Sequence, residues 1–414
     1  MRCRYALLFA FAGLVAGLVL GGGRAVDAQA GGVGRASLFG HLDLFAEVLA
    51  HVHRSYVDDV DQERLIRGAV RGVMAELDPH SVWLTPAELE AMRADTRGEY
   101  VGVGMEIRLD EGGRIRVEAV SPHGPAAEAG IQAGDVLLQV DDVPMAGRGV
   151  GEAVQLLRGP RGVPVVLRVQ RLAEHAGAGP NGPAQPRIET VAVIRDVIRV
   201  QAVEERLLDA GVGHIRVRSF QQNTAQEVGA ALGRLEGERG SALRGLVLDL
   251  RGNRGGLLRE GILLADLFLD NGVIVSTRAR SDRENERWAA RRSATRYRGP
   301  MILLVDAMSA SASEIVAGAL QDHERALVMG ERTFGKGSVQ SIVTLADGSG
   351  LKLTVSLYLT PSGRSIQDQG ITPDVVVSRR PAQAGDGGDA GDAQLESALQ
   401  QLALFERFGR GAGR

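Results

Sequence analysis

Between residues 190 and 330, apolar runs and amphipathic stretches take turns, and no other property of this 414-residue chain narrows its fold as much. The segments at 215–217, 245–250 and 301–305, the last two mostly apolar, read as buried strands. Segments with helical apolar spacing, 224–236, 257–269 and 311–323, alternate with them. Buried strands alternating with helices imply a parallel sheet covered by helices. A chain of this length predicts two or three domains. The apolar content of 44% supports sizeable cores, and a formal net charge of -3 gives no reason to expect a nucleic-acid partner.

The ends of the chain differ in character from this region. Residues 1–30 read as an export signal: Arg2 and Arg4 precede an uncharged apolar run at 5–20, and Ala28-Gln29-Ala30 fits a small-x-small cleavage site. As a helix that run reaches only ~24 Å, short of the ~30 Å hydrocarbon core, which favours a cleaved signal over a retained membrane anchor. The single cysteine, Cys3, precedes the run, so a mature chain has no thiol for disulfides, metal or catalysis. Residues 31–96 read as helices, interrupted at Asp78-Pro79 and restarted at Pro86 with Thr85 as N-cap. Residues 381–414 read as a Gly/Asp/Ala linker and a last amphipathic helix with Leu395, Leu399, Leu402 and Phe405 on one side. That helix, like the early Leu42, Phe45 and Leu49, is expected to pair between subunits of a homodimer or larger ring, or else to pack on its own core.

Near Arg97 short strands begin, at 102–108, 115–120, 136–140 and 165–170, with one short helix at 151–157. A Gly/Ala/Pro-rich stretch at 175–186 reads as an enlarged surface connection inside this module. EYVGVGMEI, VSPHGPAAEAGIQAGDVLLQVDDVPM and GEAVQLLRGPRG, within residues 97–186, resemble a PDZ domain. The resemblance implies that Val101-Gly102-Val103-Gly104 forms a turn whose N–H groups receive the terminal carboxylate of a peptide. The peptide would add as a strand beside Met105 and Ile107, with Val154 and Leu157 lining the groove. The plainer reading is a PDZ-shaped spacer without a ligand.

Three further segments carry chemistry. In VDAMSASASEIVAGALQDHERA, residues 305–326, a buried strand runs through alternating Ser and Ala into a helix. Such a turn presents a nucleophile where unpaired N–H groups and the positive end of the helix dipole favour an anion. Taken alone, a Ser-rich helix start is an N-cap. RTFGKGSVQ, residues 332–340, sets a lysine between two glycines, and a lysine desolvated there is a candidate general base. DLRGNRGGLL, residues 249–258, follows another buried strand with a glycine loop that offers N–H groups for an oxyanion hole. A Ser–His–Asp arrangement is excluded on this helix, because His323 stands twelve residues, about 18 Å, beyond Ser311. His51 and His53 lie two apart on different helix faces and H-E-x-x-H is missing, so no metal site is expected.

Together these segments resemble the C-terminal processing peptidases, or tail-specific proteases, of the serine–lysine type. The resemblance implies a multidomain α/β fold: a crotonase/ClpP-like α/β core at 187–380 with the PDZ module inserted ahead of it. It implies Ser311 as nucleophile, Lys336 as base, Gln340 to orient the lysine, and the N–H groups of Ala312 and Gly256 as oxyanion hole. The lysine follows the serine by 25 residues, as in the family. Asp322 matches a supporting acid, and Arg158 is implied to signal an occupied PDZ groove to the active site. The family usually has proline where this chain has Arg254, and losing the stiff ring is expected to loosen the loop. Whether Lys336 and Gln340 are neighbours depends on whether 336–340 is extended, ~13 Å between Cα atoms, or curled into a turn. The implied partners are proteins or peptides with free C-termini, with no cofactor, and delivery by an adaptor protein is left open. The implied location is the bacterial periplasm or cell envelope, with inner-membrane anchorage if the signal is retained. The rival readings are a non-catalytic PDZ scaffold or chaperone, and a crotonase-type acyl-CoA enzyme, which an export signal and a PDZ argue against.

Overall fold

The computed structural model describes residues 32–171, 186–292, 296–378 and 392–409. The export signal and Cys3, the Gly/Ala/Pro-rich stretch from 175 to 185, and nearly all of the 381–393 linker lie outside the described residues. The chain forms two compact units, divided after Gly72. Helix α1 (Gly32–Ser55) lies within the first, and the boundary falls inside α2 (Gln62–Ala75), after Gly72. On α1 the side chains of Leu42, Leu44, Phe45 and Val48 are exposed. Among the described residues no helix is long and apolar enough to cross a membrane.

The second unit opens with β1 (Val82–Leu84), α3 (Pro86–Arg97) and β2 (Glu99–Gly102). Thr85 caps α3 as expected, accepting the Glu88 N–H while the Glu88 carboxylate accepts the Thr85 N–H. The inserted module follows: β3 (Met105–Leu109), β4 (Ile115–Val120), α4 (Pro125–Glu128), β5 (Val136–Val140), β6 (Val143–Pro144), α5 (Val150–Leu157), β7 (Pro164–Arg171) and β8 (Arg187–Ile194). Its sheet runs β3-β4-β5-β7-β8, so β3 is an edge strand. The module, expected to end at residue 186, extends to Ile194, because β8 pairs with β7 along its whole length. Next, β9 (Asp196–Arg199) pairs with β2, so the strands entering and leaving the module are bonded to each other.

The core comprises β10 (Val203–Leu208), β11 (Val212–Val217), α6 (Thr224–Arg239), β12 (Gly245–Asp249), α7 (Leu258–Asp266), β13 (Val273–Ala279) and β14 (Arg287–Ala289). It continues with β15 (Met301–Val305), α8 (Ala312–Asp322), β16 (Leu327–Gly330), β17 (Ser338–Thr344), β18 (Gly350–Leu359), β19 (Val375–Val376) and α9 (Ala393–Gly409). The main sheet has the order β10-β11-β12-β15-β16-β19, parallel from β11 to β19, and β12 and β15 are buried at every residue. Each fully buried Leu or Val there contributes about 1.5–3 kcal/mol. A second, antiparallel sheet joins β17, β18, β13, β14 and the early β1, a sheet not anticipated from the sequence.

Helices α6, α7 and α8 cover one face of the main sheet. Helix α8 is buried from Ala312 to Leu320, which small residues make possible. A Cβ on Gly261 of α7 would sit 3.1 Å from the Cβ of Ala312. The other face is covered by α9, whose Leu395, Ala398 and Leu402 pack on Val212, Val247, Ile302, Leu304 and Met329 of the same chain. Arg251, after β12, locks its start by donating to both carboxylate oxygens of Asp392 at 2.8 and 2.7 Å. Of the two roles expected for this helix, packing on its own core is the one seen for these side chains, while Leu404 and Phe405 stay exposed.

Candidate active site

Four loops leave the carboxyl ends of neighbouring parallel strands, the edge of an α/β sheet where sites are usually built. Phe220 follows β11, Asn253 to Gly256 follow β12, Ser311 follows β15 and Lys336 follows β16.

The three serines of the Ser/Ala run are not equivalent. The Ser309 hydroxyl donates to the Leu250 carbonyl at 2.8 Å, and the Ser313 hydroxyl to the Asn253 carbonyl at 2.9 Å. Both residues are fully buried. Ser311 lies between them at the start of α8 with φ 55° and ψ -113°, and forms no side-chain cap. A non-glycine residue held at such a φ costs about 1–3 kcal/mol, and proteins keep such strain where it serves a site. Ser311 stands at the N-cap position, but among the described residues no hydrogen bond is seen at its hydroxyl, in contrast to those of Ser309 and Ser313.

Glu314, one turn on and wholly buried, binds the site together. Its Oε2 accepts the N–H of Ser311 and the N–H of Lys336, each at 2.8 Å. The two nitrogens are therefore within twice that distance, about 5.6 Å, of each other. Its Oε1 accepts the Thr333 hydroxyl at 2.5 Å and the Gly335 N–H at 2.7 Å. Burial pushes the Glu314 carboxyl above the ordinary range, against these donors, which pull it down. Glu314 is not among the residues singled out from the sequence above, although Ser-x-x-Glu at a helix start is a recognisable signal.

Lys336 is half-buried, and its amine is held below the ordinary lysine value. Burial is the main cause, the like charge of Lys352 adds to it, and Glu314 opposes both. Gln340 lies on β17 opposite Thr354 of β18. Its amide nitrogen donates to Ser338 Oγ at 2.8 Å and to Thr354 Oγ1 at 3.5 Å. Residues 336–340 are thus a loop followed by strand, and among the described residues no hydrogen bond joins Lys336 to Gln340.

The glycine loop lies directly against the serine. A Cβ on Gly255, at φ +98°, would stand 2.8 Å from Ser311 Cβ and 3.1 Å from the Ala312 nitrogen. The Gly255 N–H is taken by Asn253 Oδ1 at 2.8 Å. Among the described residues no hydrogen bond engages the N–H of Gly256 or Ala312. Arg254 is exposed, and the loop is held by its neighbours. Buried Asn253 donates to the Val217 carbonyl at 2.8 Å, and Phe220 bonds to Gly255 and Leu257 at 3.0 and 2.7 Å. These bonds supply the stiffness expected to be lost with proline. Asp322, at the far end of α8, accepts the Ser362 N–H at 2.9 Å and a bond from Arg364, so it anchors the 360–364 loop rather than touching Ser311. Among the described residues no cluster of His, Cys, Asp and Glu is arranged to hold a metal ion.

A second concavity lies between edge strand β3 and α5. Its walls include Gly102, Gly104, Met105, Ile107, Val154 and Leu157, and Val103 also borders it. Val101 stands apart, its backbone paired with Val197 of β9. Arg158 reaches this groove with its guanidinium 5.4 Å from the centre of the Tyr100 ring. Buried Arg195, between β8 and β9, donates to the carbonyls of Leu156 and Leu157 at 2.8 and 3.0 Å, tying the end of α5 to the strand that leads into the core.

Comparison with known proteins agrees with this architecture. Residues 211–377 match Peptidase family S41, and residues 116–171 match the PDZ domain. A carboxy-terminal-processing protease of Bartonella bacilliformis is 40% identical over 339 residues, 82% of this chain and 75% of that protein. A carboxyl-terminal-processing protease of Picosynechococcus is 35% identical over 383 residues, 87% of this chain and 89% of that protein. The solved photosystem II D1 C-terminal processing protease is 31% identical with a TM-score of 0.47, covering 81% of this chain and 92% of that one.

Proposed function

The chain belongs to peptidase family S41, among the carboxy-terminal-processing proteases, and from that premise we propose that it is an exported endopeptidase working through Ser311 and Lys336 on proteins presented by their C-terminal tails. It is a serine-type peptidase by family. The observation that carries the assignment is the shared Glu314 oxygen, which fixes the backbones of Ser311 and Lys336 against one another. Neutral Lys336 takes the Ser311 proton, and Oγ attacks the peptide carbonyl. The free N–H groups of Ala312 and Gly256 receive the oxyanion. The amine product leaves with the proton from Lys336, and water then hydrolyses the acyl-enzyme. Gln340 orients Lys336, Asp322 supports the fold around α8, and the scheme calls for no cofactor.

The groove between β3 and α5 receives the substrate tail. The open edge of β3 supports strand addition, and Gly102, Val103, Gly104 and Met105, which line the groove, would hold the carboxylate. Val101 contributes by keeping β2 paired with β9. Arg158 reports occupancy of the groove, with Arg195 carrying α5's position to the core. The exposed apolar residues of α1 support a homodimer or larger ring, and an adaptor protein is a further candidate partner. The opening segment assigns the enzyme to the bacterial periplasm or cell envelope, anchored to the inner membrane where it is retained.

One unfolded reporter carrying apolar or charged C-terminal tails tests both halves. Wild type degrades it with a tail preference, and Ser311→Ala and Lys336→Ala do not degrade it. Proteolysis that persists in Ser311→Ala overturns the chemistry, and equal rates for all tails overturn the selection.

A further inference from the structure

The Asp78-Pro79 break in the helical pattern has a second role. Asp78 Oδ1 accepts the N–H of His80 at 2.8 Å, the N–H of Ser81 at 3.0 Å and the Thr354 hydroxyl at 3.2 Å. Its Oδ2 accepts the Ser81 hydroxyl at 2.6 Å. Buried Ser81 closes the circuit, its Oγ accepting the Thr354 N–H at 3.0 Å. A turn 276 residues away in sequence is thus bonded twice to the residue that faces Gln340 across the β17–β18 ladder.

That connection sets a direction. A carboxylate only accepts, so the Thr354 hydroxyl must donate to Asp78 and keep its lone pairs for other donors. Gln340 Nε2 is the donor that meets it, at the long limit of 3.5 Å, beside the firmer bond to Ser338. A β-bulge at Val339/Gln340 is what brings Gln340, rather than its neighbour, opposite Thr354. With the amide nitrogen committed to two hydroxyl oxygens, Oε1 is the end left to accept. A lysine amine that donates to that oxygen keeps its lone pair for the serine proton. Lys352 stands two residues before Thr354 on the same face of β18, and its charge acts on Lys336, so the relay ends in the surroundings of the base.

We propose that the Asp78–Ser81 turn, acting through Thr354, sets which end of the Gln340 amide is offered to Lys336, making Asp78, Ser81 and Thr354 positioning residues of the active site. The proposal rests on the Ser311/Lys336/Gln340 reading above. The test is full pH–rate profiles and melting temperatures of the full chain carrying Thr354→Val, Thr354→Ser, Asp78→Asn or Gln340→Ala, on a short unstructured peptide. Thr354→Val lowers kcat about tenfold with KM within about twofold, and moves the acidic limb of the profile. Thr354→Ser restores both, and Asp78→Asn follows Thr354→Val. If Thr354→Val and Asp78→Asn keep the wild-type profile, or only lower the melting temperature, while Gln340→Ala is impaired, the relay is wrong and the catalytic reading stands. If Gln340→Ala is itself fully active, the role of Gln340 fails and the relay falls with it.

Discussion

Replacing Glu314 with glutamine separates an architectural carboxylate from a bystander. The buried side chain accepts four hydrogen bonds, two at each oxygen. Glutamine keeps one oxygen and turns the other into an NH2 group. The less costly orientation places that group toward Thr333, whose hydroxyl can rotate to accept, and leaves the Gly335 N–H without a partner. One orphaned amide costs about 1–3 kcal/mol, and the remaining bonds lose their charge assistance, so a total of about 2–4 kcal/mol is expected. In a core of this size that lowers the melting temperature by about 5–15 °C. The two amides on Oε2 also relax, and a displacement of about 1 Å at a reacting pair costs on the order of a hundredfold in rate. The assay is kcat on an unstructured peptide, run well below the lowered melting temperature, beside a thermal melt. A kcat within about threefold of wild type, in a variant shown to be destabilised, would refute the idea that Glu314 sets the Ser311–Lys336 geometry.

Two further substitutions probe charge. Lys352→Met removes a like charge from Lys336, whose pKa then rises; the acidic limb of kcat/KM moves to higher pH by up to about 0.7 unit, taking ~0.2–1 kcal/mol for a partly exposed pair. An unmoved or lowered limb contradicts the assigned contact. For Asp322, burial pushes the carboxyl up but bonds from Thr360, Ser362 and Arg364 outweigh it and hold its pKa low. A depressed carboxylate stabilises above its unfolded pKa and loses that contribution as pH falls through the native one. The stability gap between wild type and Asp322→Asn is therefore widest near neutrality and closes from about pH 4 downward, which denaturant titrations at several pH values measure.

What could be read in advance follows contact distance. Strand β11, with His214 and Arg216, is less plain than β12 and β15, which announce themselves because both faces are buried and the runs are apolar but for the terminal Asp249 of β12. Strand β18 does not, since its residues are mostly half-buried and its partners β1 and β17 lie on opposite sides of it in the sheet. The lysine between glycines is conspicuous in sequence, whereas Lys352 matters only through the β17–β18 register. Nothing local distinguishes Ser311 from Ser309 and Ser313. The distinction is that Leu250 and Asn253, some sixty residues earlier, consume the other two hydroxyls. Arg254 in place of proline suggested a looser loop because the brace, Asn253 to Val217, is a tertiary bond. Asp78 reads as a helix breaker from its own neighbourhood, and its bond to Thr354 needs the folded chain.

Covalent labelling at a single residue tests the central pair most directly. The purified enzyme is treated with a serine-directed fluorophosphonate and the adduct is located by peptide mass spectrometry, with rates compared for wild type, Lys336→Ala and Ser311→Ala. The pairing predicts one adduct, on Ser311, formed far more slowly in Lys336→Ala and missing in Ser311→Ala. An adduct on Ser309, Ser313 or another residue, or a labelling rate unaffected by loss of Lys336, contradicts it.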